Sequence, residues 1–429
     1  MRDDLPIWLM EPEIIEKRDL AAKKLLGSKR KATQFSQVVN LEELKQRIKK
    51  IRQYARDNID LLAEELKATL SNKYPEVETK WAIDNSDAVT YINRIAGEAS
   101  TISINNSSTV KQELAPKLVA AGFTVINSYH HEYDIKEREI NDYWDLPRLS
   151  DRNLTGSFSI VAKMAGLPDA ESRKYLAVLG VNAISAEDGT TFFLEHFVNI
   201  HKDLELASKV VLVVALDKIV KNREEAAFQA ECMGIFGLES VLLGIDRKTS
   251  EAPAIDELAL PSGNGKRELH LIVLDNGRTE LLQGAFRDLF LCIGCRACNK
   301  HCPIRHSFNN IDYIWTPKNY LNEFLYGTDN SIDVCLHCEA CRIECPLDID
   351  LPYLMWQAKR DYITRHGTPF KHKILGRPEL LARIGTPLAP IANWMMEQKL
   401  VRIPMEMLMG IDRRTNLPKF HSKTFGKCS

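Results

Sequence analysis

Two stretches decide how this chain is read: CIGCRACNKHCP at residues 292–303 and CLHCEACRIECP at residues 335–346. Both space their cysteines alike, as Cys292-x2-Cys295-x2-Cys298-x3-Cys302-Pro303 and Cys335-x2-Cys338-x2-Cys341-x3-Cys345-Pro346. Eight of the ten cysteines fall in these runs, and Cys232 and Cys428 are the other two. A disulfide framework would spread its cysteines through a small secreted domain. Crowded thiols at a repeated interval point to metal instead. A zinc ribbon takes four ligands from two pairs, whereas each run here offers four by itself. A [4Fe–4S] cube takes four thiolates, one per iron. Two-residue gaps let one loop curl round a cube and present three sulfurs. The fourth cysteine, expected at the start of a helix whose first turn suits the proline, lies too far round and reaches the other cube. The predicted ligand sets are therefore Cys292, Cys295, Cys298 and Cys345 for one cluster, and Cys335, Cys338, Cys341 and Cys302 for the second.

The same run occurs in two-cluster bacterial ferredoxins, so residues 285–366 read as a helical module of that type. The linker between the runs, Pro303 to Val334, is long, and Asn319 to Gly327 in it reads as a short glycine-closed helix. With all eight cysteines present, His301, His306 and His337 are assigned to packing or to hydrogen bonds around the clusters.

The chain has 429 residues, 45% of them hydrophobic and 27% charged, which is globular composition for two or three domains. Lys and Arg total 57 and Asp and Glu 58, for a formal charge of −1. Nothing in that balance draws the chain toward nucleic acid or an anionic membrane. The start, MRDDLPIWLMEPEIIEKRD, lacks the basic and apolar regions of a signal peptide. Val210 to Leu216 is the most apolar short run and is far below the ~20 residues of a membrane helix. A cytoplasmic protein without a transmembrane segment is expected.

Residues 1–77 read as an N-terminal helical arm. Its first forty residues carry mixed charge and suggest a solvated arm or helix. Asn40 then stands as N-cap with Glu43 at the capping-box position. Leu41, Leu44, Ile48, Ile51, Ala55, Ile59, Leu62, Leu66 and Leu70 follow at three- and four-residue steps, predicting one long amphipathic helix. Residues 78–284 alternate β-rich runs (Thr101–Ile104, Phe123–Ile126, Thr191–Leu194, Val210–Val214, Leu271–Leu274) with helical ones (Thr109–Ala121, Arg223–Phe236), the pattern of an α/β domain with a mainly parallel sheet. No G-x-G-x-x-G follows a strand, no P-loop occurs, and the Gly-rich Pro261–Lys266 precedes a strand and reads as a loop. Leu351 to His366 predicts a further helix. The tail, 367–429, is rich in Pro and Met and suggests short Pro-initiated helices with an apolar docking side; contact with a membrane surface is the alternative.

The order of these parts resembles the lactate-utilisation iron–sulfur subunit family. Lys80-Trp81-Ala82, the segment Thr101 to Leu118, Ala121 to Val125 and Leu274 to Arg278 carry the likeness, over about residues 40–360. The resemblance implies a lactate-utilisation (LUD) type α/β domain, related to the CoA-transferase and sugar-phosphate isomerase folds, between an N-terminal helix and a two-cluster module with a helical tail. It implies an electron-transfer subunit, not catalytic alone, of a complex that oxidises L-lactate or another 2-hydroxy acid. A cysteine-rich CCG-domain redox subunit is the implied partner. Glu187, Asp188, Gly189 and Thr190 stand where the family has a Glu-Thr-Gly-Thr-like turn, with Asp188 departing from it. They are substrate-binding candidates, and a purely structural turn is the alternative. Two other functions stay open: a relay subunit of a heterodisulfide-reductase-like or quinone-linked complex with the α/β domain as scaffold, and an assembly protein with structural clusters.

Overall fold

The computed structural model of the chain describes residues 5–10, 41–127, 175–194, 200, 203–204, 207–237, 255–258, 268–299, 301–304, 317–326, 335–368 and 370–423. It divides into two compact units, Met1–Trp356 and Gln357–Ser429. The first holds eleven described strands: β1 (Ile7–Met10), β2 (Glu78–Ala82), β3 (Thr101–Ile104), β4 (Thr124–Asn127), β5 (Tyr175–Gly180), β6 (Ala183–Ser185), β7 (Thr191–Leu194), β8 (Lys209–Ala215), β9 (Ile219–Val220), β10 (Ile255–Leu258) and β11 (Glu268–Leu274).

Six of them form one sheet in the order β2-β11-β8-β5-β3-β4, and every pairing in it is parallel. The central strands show why. β5 reads YLAVLG and is buried throughout, and β8 reads KVVLVVA and is buried after its first residue. Strands apolar on both faces need cover on both sides, which parallel sheets with crossover helices provide. The edge strand β2, ETKWA, is exposed or half-buried except at Ala82. Helices α3 (Asn85–Ala96) and α5 (Arg223–Phe236) start at true caps, where Asp84 and Asn222 accept the backbone N–H of Asp87 and Glu225 at 2.8 and 3.0 Å. Tyr91, Ile92 and Ile95 of α3 pack with Ile102, Leu118, Val178, Val211 and Ile272 in one core. Each such side chain contributes roughly 1.5–3 kcal/mol on burial.

A smaller mixed sheet runs β10-β1-β7-β6-β9. Its β1 pairs parallel with β7 and antiparallel with β10. The expectation of a solvated arm or helix for the first forty residues is thus corrected at Ile7–Met10: Leu5 and Ile7 are buried. Residues 1–4 and 11–40, with the Asn40 cap, lie outside the described residues, as do Pro261–Lys266, His306 and Cys428.

The single long helix is also corrected. Two helices occur, α1 (Leu41–Asp57) and α2 (Ile59–Lys73), parted at Asn58. Asn58 leaves the helical region at φ −125°, ψ 24°, and its side-chain amide donates to the Tyr54 carbonyl at 2.9 Å. Asparagine offers this local alternative to the helical ladder. The apolar stripe continues unbroken across it, with Leu44, Ile48, Ile51, Ile59, Leu62, Leu66 and Leu70 all buried.

The region of the two cysteine runs adds the helices α6 (Arg278–Leu281), α7 (Pro317–Tyr326), α8 (Ala340–Glu344) and α9 (Leu351–His366), the last crossing the division between units. Here α4 is Ala115–Ala120, which continues a π-helical turn at Thr109–Leu114. The second unit carries α10 (Phe370–Leu375), α11 (Pro378–Gly385), α12 (Ala389–Glu397) and α13 (Lys399–Met409). Proline opens α11 and α12, as the sequence suggests, while Pro404 sits inside α13. Buried Arg402 ties α13 to the following turn by donating to the carbonyls of Asp412, Arg413 and Thr415.

Candidate metal centre and the cavity beside it

The two cysteine runs fold as repeated loops. In the first, Gly294 has φ +82° and Arg296 φ +66°; in the second, His337 has φ +49° and Glu339 φ +64°. These are the same two positions counted from the first cysteine of each run. Left-handed residues at both positions turn the backbone back on itself, which is how three cysteines come to face one point. Glycine takes this conformation without strain, but only the first loop uses one.

The loops enclose two separate cavities. Cys292, Cys295, Cys298 and Cys345 line one, and Cys302, Cys335, Cys338 and Cys341 line the other. Each cavity therefore draws three cysteines from one run and the fourth from the other. Backbone amides point at several sulfurs: Ala297 at Cys295, Lys318 at Cys298, and Ile349 and Leu347 at Cys345. Burial, then neighbouring sulfurs, pushes the Cys341 thiol up to about 12. Burial pushes Cys345 up to about 11 against its two amide donors. Burial thus makes Cys341 and Cys345 resist losing their protons, and bound cations relieve that resistance. The donor set in each cavity fits a four-thiolate iron–sulfur cube. One local expectation changes. Cys345 closes α8 instead of opening a helix, and Pro346 begins a turn before α9.

Residues far from the cysteines hold the first loop to the sheet. Arg52 of α1 is fully buried and donates to the carbonyls of Phe290 and Leu291 at 2.7 and 3.2 Å, to Asp217 O at 2.6 Å and to Gln229 Oε1 at 3.1 Å. Lys218 Nζ bonds Asp217 Oδ2 at 2.9 Å and the Cys292 carbonyl at 3.1 Å. Arg278 lies between Asp217 Oδ1 and Glu113 Oε1, each at 2.7 Å. Burial would raise the Asp217 pKa, but the charges of Lys218 and Arg278 outweigh it and hold the carboxylate well below its usual range. At the end of α5, Gly237 lets its backbone meet the loop: a Cβ there would stand 2.7 Å from the Cys295 carbonyl oxygen.

A further cavity, about 110 Å³, opens beside the first loop. It lies past the carboxyl ends of β3, β5 and β8, lined by Asn105–Thr109, Val181–Asn182 and Asp217–Lys218. From β3 the chain moves outward to β4 and then returns to β5 on the other side, so β3 and β5 flank a switch point, where open α/β sheets bind ligands. Asn105 clamps the two ends, donating to Gly180 O and accepting from Gly180 N, both at 2.9 Å. The cavity shares Ser108, Ile293, Gly294, Cys295, Arg296 and Lys318 with the cavity of the first loop.

Glu187, Asp188, Gly189 and Thr190 come together in a turn between β6 and β7, not in that cavity wall. α2 grips the turn: Thr69 Oγ1 donates to Ala186 O, Lys73 Nζ to Glu187 O, and Tyr74 just beyond it to Asp188 O. The predicted packing role of the histidines is visible at His337, stacked on Trp356 at 4.5 Å, and His301 Nε2 lies 3.4 Å from Glu344. Glu78, Glu268 and His270 also cluster. Arg94 and Lys209 already pair the two carboxylates, and Tyr91 meets the histidine. Arg52 and Lys218 carry no sequence motif that would have singled them out; Arg278 and Asn105–Thr109 lie in stretches that carry the family likeness, which disclosed neither the buried partners nor the cavity.

A family model described as a 4Fe-4S dicluster domain matches residues 288–349. Lactate utilization protein B of Bacillus cytotoxicus is 24% identical over 298 residues, covering 63% of this chain and 61% of that protein. The chain is similar to lactate utilization protein B. Lactate utilization protein B 2 of Bacillus mycoides and lactate utilization protein B of Bacillus cereus match at the same 24% identity and coverage. The match thus spans about three fifths of the length of these relatives, 61%. No solved structure matches the chain. The likeness expected from the order of elements is found, and the dicluster domain falls on the two cysteine loops. No helix among the described residues is long and apolar enough to cross a membrane.

Proposed function

We propose that the chain is the iron–sulfur electron-transfer subunit of a lactate-utilisation oxidoreductase acting on L-lactate or another 2-hydroxy acid. The observation that carries this is the crossed grouping of the eight cysteines into two four-sulfur cavities. Cys292, Cys295, Cys298 and Cys345 would hold one [4Fe–4S] cluster, and Cys335, Cys338, Cys341 and Cys302 the second. When bound, each cluster supplies reversible acceptance of one electron. The protein's part is to bury the clusters, aim backbone amides at their thiolates and fix the first loop to the sheet through Arg52 and Lys218. Oxidising a 2-hydroxy acid to the 2-oxo acid releases two electrons and two protons, so the chain works between a donor site and an acceptor. A cysteine-rich CCG-domain subunit is the proposed partner. The proposed division is an N-terminal segment at 1–77, whose β1 joins the smaller sheet, an α/β domain at 78–284, a two-cluster module at 285–366 and a docking tail at 367–429. In this reading the Glu187–Thr190 turn is architectural.

Anaerobically purified chain should contain about eight irons and eight acid-labile sulfides and be reduced and reoxidised reversibly with dithionite and dye. Stoichiometric zinc in place of iron would end the reading. Clusters that form but never change oxidation state would favour a structural role.

A further inference from the structure

The cavity at the strand ends has an unbalanced charge. Lys218, Arg296 and Lys318 line it, against Asp217 as the one carboxylate among its described lining residues. That carboxylate is already engaged by Lys218 at 2.9 Å and Arg278 at 2.7 Å. Arg296 gives a guanidinium nitrogen to the Asn106 carbonyl at 2.7 Å, a neutral acceptor. Lys318 has no ion-pair partner among the described residues, yet its charge is felt at both Asp217 and Lys218. Lys218, Arg296 and Lys318 are each half-buried; a partly desolvated cation gains from a nearby counter-charge, which an anion in the cavity would supply.

Size narrows the class. At about 110 Å³ the cavity holds several waters, each needing ~10–15 Å³ on this measure. It is well short of the roughly 300–1,000 Å³ that larger organic ligands occupy. Ser107 and Ser108 add hydroxyls beside the cations. Gly180 makes room for the first of them, since a Cβ there would lie 2.3 Å from the Ser107 Cβ.

We propose that this cavity binds a small carboxylate anion, with Lys318 and Lys218 holding the carboxylate and Ser107 and Ser108 lining the remainder. The anion site stands on the cavity and its charge; its occupant being a 2-hydroxy or 2-oxo acid rests on the function proposed above. The wall shared with the first cluster's cavity would then bring the substrate carbon skeleton alongside that cluster.

The test is anaerobic calorimetric titration of the full-length, iron-loaded chain with pyruvate and, separately, inorganic phosphate, paired with electron paramagnetic resonance of the reduced protein. Pyruvate should bind and alter the resonance spectrum, because the two cavities share Gly294, Cys295 and Arg296. Lys318→Met should weaken pyruvate binding roughly tenfold or more, the loss of one charge-assisted hydrogen bond, while keeping the iron content. Lys318→Arg should restore most of it. Unchanged affinity in Lys318→Met would overturn the proposal, since Lys318 would then serve only to offset cluster charge. Tighter binding of phosphate than of pyruvate would overturn it, as would no binding of either by a reducible, iron-loaded chain. Loss of binding in Glu187→Gln with Lys318→Met unaffected would move the site to the turn. Zinc in place of iron would remove the electron-transfer reading, and the same titration would still decide the anion site.

Discussion

Asp217 follows directly on the most apolar run of the chain, and nothing local says what a carboxylate does there. Its partners come from elsewhere: Lys218 beside it, Arg278 sixty-one residues on, and through Arg278 the buried Glu113. Replacing Arg278 by Met would leave Glu113 uncompensated, and breaking a buried pair in this way costs on the order of 3–5 kcal/mol. The thermal midpoint of Arg278→Met should fall sharply, and Arg278→Met/Glu113→Gln should recover part of the loss. No recovery in the double variant would mean that packing, not charge, sets the cost. His270 offers a pH-dependent counterpart. It is fully buried, with Tyr91 OH 2.8 Å from Nδ1 and Glu268 3.1 Å from Nε2. Burial lowers its pKa against the pull of Glu268 and Glu78, with Lys209 helping to lower it. An unfolded chain therefore takes up the proton first as pH falls. The stability due to neutral His270 is full above about 6.5 and is lost as pH drops through that value toward the lowered folded pKa. Midpoints measured between pH 7.5 and 5.5 should decline less in His270→Gln than in the parent. Equal slopes would remove His270 from the account. Such residues were illegible in the sequence because their partners lie far along the chain, Tyr91 being 179 positions from His270.

At the scale of elements the sequence was most readable where period and caps agree. The expected helices at Arg223–Phe236 and Leu351–His366 occur with those bounds. β5 was missed because a short wholly apolar run does not by its period distinguish strand from helix. β2 was missed because ETKWA, at the sheet edge, is mostly polar. One asparagine split the long helix without disturbing its stripe, so the break left no trace in the pattern. The cysteine loops were legible because metal chemistry fixes their spacing, although the helix expected to begin at the fourth cysteine ends there in the second loop. Crossed ligation makes a sharp prediction. Cys302→Ser should damage the cluster whose other ligands come from the second run, seen as selective loss in Mössbauer or resonance spectra. Selective loss of the first-run cluster would reverse the ligand sets. Cys232 serves as the contrast: it is buried in α5, and burial raises its thiol pKa well above the ordinary value. Cys232→Ser should leave iron content unchanged, and a drop would mean that the ligand count is incomplete.

Across the whole molecule, the order of parts could be read from the chain, but the cavity beside the first loop could not. It exists only because β3, β5 and β8 end side by side, and their ends come from sequence segments about 75 and 35 residues apart. The second unit poses the remaining question. Within it Ile384, Ile391, Trp394, Leu400 and Met407 are exposed. Apolar side chains gathered on short helices suit docking more than solubility. In the reading proposed above, the site that takes two electrons from the substrate and the final acceptor are on other polypeptides. The chain alone should therefore fail to reduce a dye with lactate as donor, and should gain that activity when co-expressed with its partner subunits. Full activity from the lone chain would sink the subunit reading. Removing residues 369–429 should release the partners while both clusters stay loaded, because all eight predicted ligands precede the cut. Co-purification that survives the truncation would place docking on the first unit, with the exposed face of α1 and α2 as the next surface to change.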